Sequence, residues 1–99
     1  MYIECKTNLS GEARIGRVTF TRSGKTVFYR QHIFRRVRGY KYNHHDKTTG
    51  DNYWISGCKK DGSDRLYGER VPIHIDEDVR EEYWRDIRQL PDRVKDKVT

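Results

Sequence analysis

The sequence predicts an α+β fold: a small curved antiparallel β-sheet, a meander bent toward a barrel, with one C-terminal helix at about 77–90. Short segments rich in β-branched and aromatic residues recur from Arg14 to Ile75, bounded by Gly, Asp, Asn or Ser. Only the segment after Asp76 places apolar residues at helical spacing. A run of strands followed by a single helix gives no βαβ alternation, which favours antiparallel pairing. Ninety-nine residues suit one domain, and residues 92–99 read as a frayed tail.

Met1–Glu12 reads as an edge strand through Tyr2 and Ile3, or as a loose arm. Arg14–Phe20 reads as a strand. Ile15 is out of phase with Val18 and Phe20, so a β-bulge is expected at Gly16–Arg17. Thr21–Lys25 reads as a hairpin turn with Gly24 in the left-handed region. Thr26–Arg30 is the return strand, and a tight reversal at Gln31–His32 starts another over Ile33–Val37. Tyr40–His45 forms a further strand, Asp46–Gly50 a turn, and Asn52–Ser56 the strand beyond it. Gly57–Gly68 is a loop in which Asp61 and Asp64 make turns, Arg65 is tethered to a carboxylate and Tyr67 packs. Arg70–Ile75 alternates Val71, Ile73 and Ile75 as a last strand, with Pro72 pointing to an edge.

The helix has acids in its first turns and Arg85 and Arg88 near its end, which complements its dipole. Asp76 or Asp78 caps it, and Asp78 with Glu81 mimics a capping box. Val79, Tyr83, Ile87 and Leu90 fall on one face with Trp84 on its flank, and Pro91 disfavours continuation.

Charge is distributed unevenly. Residues 1–75 hold fifteen Lys/Arg against seven Asp/Glu, and residues 76–99 hold six against eight. Between Ala13 and His45 there are nine Lys/Arg and no carboxylate, which makes a positive field that concentrates anions. Phe28, Tyr29, Phe34, Tyr40 and Tyr42 are threaded through the same stretch. Cations for phosphates beside aromatic faces for bases are what a nucleic-acid surface needs. The candidate anion-binding residues are Arg17, Arg30, Arg35, Arg36, Arg38 and Lys41. Strand alternation argues against full convergence, because the adjacent Arg35 and Arg36 would point to opposite faces of a regular strand.

Other chemistries are less well supported. Zinc sites usually show paired ligands at recognisable spacing; His44-His45-Asp46 lacks it, so no metal site and no cofactor are expected. The loop at 57–68 has no Walker spacing. Cys58 beside Lys59 and Lys60 would have a lowered pKa if the lysines were close, but no nucleophile elbow accompanies it. Two isolated cysteines suggest reduced thiols in a cytoplasmic protein. Met1–Ser10 carries Glu4 where a signal peptide needs an apolar run, and no stretch has membrane-spanning length.

The segments "ARIGRVTFTRSGKTVFYR" at 13–30, "YWISGCKKDGSDRLYG" at 53–68 and "IDEDVREEYWRDIRQLP" at 75–91 cover about half of the chain. They resemble a group of small uncharacterised bacterial proteins. The resemblance implies a bacterial, cytoplasmic protein and carries over no catalytic or binding residue. The leading expectation is a non-enzymatic binding module whose basic sheet face contacts nucleic acid or another polyanion. The alternative is a protein-interaction or self-associating module, a homodimer included, that uses the helix or a sheet edge. A small enzyme ranks third.

Overall fold

The computed structural model describes residues 1–7, 12–65 and 72–99. Among these, eight strands form one sheet: β1 (Tyr2–Cys5), β2 (Ala13–Ile15), β3 (Thr19–Phe20), β4 (Thr26–Tyr29), β5 (His32–Arg36), β6 (His44–Asp46), β7 (Asn52–Ser56) and β8 (His74–Ile75). Their order is β3-β4-β5-β6-β7-β1-β2-β8, and every pairing is antiparallel except β2 with β8. The fold is the expected α+β arrangement, a curled half-barrel sheet with one C-terminal helix.

The connection from β2 to β3 dictates the curl. These strands stand seventh and first in the sheet, yet only residues 16–18 join them. Six inter-strand spacings would span about 29 Å in a flat sheet. Four Cα steps reach about 15 Å at most. The sheet must therefore bend until its ends meet. The segment read as one bulged strand is two strands in different parts of the sheet. Gly16 sits where they part: a Cβ there would lie 2.4 Å from the Tyr29 ring and 2.6 Å from Asp76 Oδ2.

Side chains bridge the resulting seam. Asp76 follows β8 and is 4% exposed. Its Oδ1 accepts from Arg14 Nε at 2.8 Å and lies 2.8 Å from Arg30 Nη2. Its Oδ2 accepts from the Tyr29 hydroxyl at 2.5 Å. One buried carboxylate thus joins β4 and the β4–β5 turn to β2 and β8. The expected capping role falls away for this reason: Asp76 occupies the N-cap position but makes no side-chain cap bond.

The curl also explains β1. Read as an edge strand, it lies between β7 and β2, and all four of its residues are buried. Ile3 faces a cluster with Val27, Tyr29, Phe34 and Ile55. Tyr2, from the opposite face, joins Ala13, Ile15, Ile73, Ile75, Val79, Tyr83 and Trp84 beneath the helix. Glu4 is tolerated inside because the Tyr2 hydroxyl donates to it at 2.5 Å and Lys6 Nζ donates at 2.7 Å.

The helical run covers 77–87 rather than 77–90, as a 3₁₀ turn (Glu77–Val79), an α turn (Arg80–Glu82) and a π turn (Tyr83–Ile87). Gln89 takes a left-handed φ of 55°, and the Leu90 N–H returns to the Trp84 carbonyl at 2.7 Å, which ends the helix before Pro91. Beyond it, the chain expected to fray is held. Trp84 Nε1 donates to the Asp96 carbonyl at 2.9 Å, and the Arg93 guanidinium lies 4.2 Å from the Trp84 ring centre. Val98 bridges His74, which extends the sheet beyond β8.

Of the expected last strand, only His74–Ile75 forms one; Arg70 and Val71, like Tyr67, lie outside the described residues. No helix among the described residues is long and apolar enough to cross a membrane.

Candidate polyanion interface

β5 supplies the centre of the site. Phe34 points inward and is fully buried, so Arg35 points outward. Arg36 shares the inward phase of Phe34, but it is the last residue of β5 and is exposed at the end of the sheet. This position resolves the alternation problem. Arg35 and Arg36 line one open groove of about 470 Å³ together with Lys25, Val37, Arg38 and Asn43.

Backbone pairing fixes the groove. Arg36 N–H donates to the Lys25 carbonyl at 2.9 Å, which places the β3–β4 hairpin turn beside β5. Val37 N–H donates to the Asn43 carbonyl at 3.0 Å and closes the loop from β5 to β6. Asn43 anchors that loop to β7: its Nδ2 donates to the Ile55 carbonyl and its Oδ1 accepts from the Ile55 N–H, both at 2.8 Å. Among the described residues, no carboxylate pairs with Lys25, Arg35, Arg36 or Arg38.

The other three candidates lie apart from the groove. Arg17 pairs with Glu82 of the helix at 2.5 Å, an exposed contact of the kind that contributes about 0–1 kcal/mol. Arg30 belongs to the Asp76 clasp, where its own φ of 52° makes the tight β4–β5 turn. Lys41 sits in the 37–43 loop with its Nζ 5.2 Å from the Tyr40 ring centre. Lys25 was missed as a site residue because it reads as part of a turn. The acid-free stretch that contains it was the signal that could have found it.

The groove reaches one titrating neighbour. His44 is buried at the start of β6, and desolvation together with the charge of Arg36 holds its pKa below the ordinary imidazole value. His44 Nδ1 lies 2.9 Å from Asn43 Oδ1, whereas His45 contacts Asn52 Oδ1 at 3.2 Å. Asp46 is fully buried and binds His32 Nδ1 at 2.8 Å and the N–H groups of Thr48 and Thr49. Burial would raise its pKa, but these hydrogen bonds outweigh it and hold the carboxyl below its usual range. The His44–Asp46 corner is thus engaged in structure, and among the described residues no three His, Cys, Asp or Glu side chains cluster to hold a metal.

The 57–65 loop behaves as a structural turn. Asp61 accepts from Ser63, Asp64 accepts from the Lys59 N–H at 2.7 Å, and Arg65 reaches Glu4 at 3.7 Å. The Cys58 thiol is pushed up by burial, opposite to the lowering expected from Lys59 and Lys60. Compared with family models, curated proteins and solved structures, the chain finds no match.

Proposed function

We propose that this protein is a non-enzymatic binding module that holds nucleic acid or another polyanion in the groove of Lys25, Arg35, Arg36 and Arg38. The observation that carries this reading is four cations in one concavity with no carboxylate paired to them among the described residues. Such a cluster repels itself until an anion arrives, and ligand phosphates then release their own counterions. The two free thiols, Cys5 and Cys58, fit a reducing, cytoplasmic setting.

Binding to heparin and to an oligonucleotide at about 50 mM and 200 mM salt tests it. Affinity falls steeply with salt, and an Arg35→Glu/Arg36→Glu variant loses it. Absence of binding at the lower salt, or binding undiminished in the variant, refutes the reading.

A second reading rests on Phe20, which is 53% exposed on edge strand β3 beside a cavity lined by Met1, Val18 and Ile87. An exposed aromatic next to an unpaired edge suits self-association. A particle mass that stays monomeric across dilution excludes it.

A further inference from the structure

The 37–43 loop adds a feature that the basic groove does not need. Tyr40 is 83% exposed, more than Phe20, Phe28, Ile33 or Val98, the other exposed large apolar side chains among the described residues. It stands two residues from Arg38 in a loop whose base lines the groove. We infer that Tyr40 is a stacking platform for an unpaired base, so that the polyanion held by this groove is a single-stranded nucleic acid. This inference rests on the polyanion reading above and specifies its ligand.

Three details of the loop support it. First, the loop that carries Tyr40 is anchored at its base and packs Tyr42 over Gly39. The Tyr42 ring lies so close to Gly39 that a Cβ there would fall 2.1 Å from Cε2, and Lys41 adopts a left-handed φ of 67°. Asn43 ties the loop base to β7 through two hydrogen bonds. A ring on a held loop loses little freedom when a base stacks on it. Second, Lys41 Nζ approaches the Tyr40 ring at 5.2 Å, and with the ring so exposed, space remains for a base against it. Third, Tyr40 follows Arg38 by two residues, a backbone span of at most about 7 Å, so a single strand with a phosphate in the groove can lay a base on the ring. A base within a duplex is already stacked on both sides and must be kinked open to use such a platform. Heparin has no base and would use only the cations.

The test uses the full chain with Tyr40→Ala, Tyr40→Phe and Arg35→Glu/Arg36→Glu. Labelled oligothymidylate, oligouridylate, a DNA duplex and heparin are the probes, read by fluorescence anisotropy. Tyr40→Ala weakens single-strand binding about 5- to 150-fold, Tyr40→Phe retains it, and both leave duplex and heparin binding unchanged. Dependence on Tyr40 with either single strand supports the inference, and the pair of strands shows whether DNA, RNA or both are taken. Single-strand binding that Arg35→Glu/Arg36→Glu abolishes and Tyr40→Ala leaves unchanged overturns the stacking role and leaves the groove reading standing. An equal loss for heparin also overturns it, because the ring would then act without a base. If no polyanion binds, both readings fall.

Discussion

Two sets of arginines on this sheet have opposite surroundings. Arg14 and Arg30 share the buried carboxylate of Asp76 across the seam, with the Tyr29 hydroxyl on its other oxygen. Arg35, Arg36 and Arg38 surround a groove with Lys25 and pair with no carboxylate among the described residues. The first set holds the sheet in its curled form. The second crowds like charges together, which costs stability and gains nothing from the fold itself. Residue type alone does not separate the cations of the clasp from those of the groove; the presence of a buried acid does.

The largest effect that would sharpen this contrast is loss of the clasp. Asp76→Ala leaves two guanidiniums and a phenol without their shared acceptor and should lower unfolding stability by about 3 kcal/mol. Urea unfolding measures this as a lower midpoint. Polyanion affinity of the folded fraction should be unchanged. Arg35→Glu/Arg36→Glu should show the reverse pattern, with stability within about 0.5 kcal/mol of the parent and binding lost. A clasp variant that binds less tightly while fully folded would break the comparison.

The smallest effect concerns His44. Its folded pKa lies below the unfolded value of about 6.5. The unfolded chain therefore binds the extra proton first, and stability falls as pH drops through about 6.5, until the folded imidazole also protonates. Arg36→Gln removes one of the two causes and should raise the His44 pKa measured by NMR, while burial keeps it below the ordinary value. An unchanged pKa would mean that Arg36 does not press on His44.

Much of this architecture is legible locally. Asn52–Ser56 matches β7, because a β-branched and aromatic run between turn residues defines itself. Gly24 and Gly50 take the positive φ that their turns suggest, at 74° and 80°. The helix is marked by its acids and by Pro91. What the sequence hides is long-range. Nothing in Arg14–Phe20 shows that the residues on either side of Gly16 belong to opposite parts of one sheet. Nor does Asp76 announce that it serves Tyr29 and Arg30, forty-six or more residues away, rather than the helix it precedes. The site follows the same division. The acid-free stretch marks the basic region, but which cations converge depends on where β5 ends. Arg36 joins the groove because the strand stops there, and Arg30 leaves the set because the sheet closes beside it.

The separation of clasp from groove is tested most directly by the salt dependence of binding. Log affinity for a single-stranded oligonucleotide should be measured against log salt for the parent, Arg38→Gln and Arg30→Gln. Each groove cation that meets a phosphate contributes about 0.7 to the slope. Arg38→Gln should therefore flatten the slope by about that amount, while Arg30→Gln leaves it at the parental value. A flatter slope for Arg30→Gln, or an unaltered one for Arg38→Gln, would contradict the assignment.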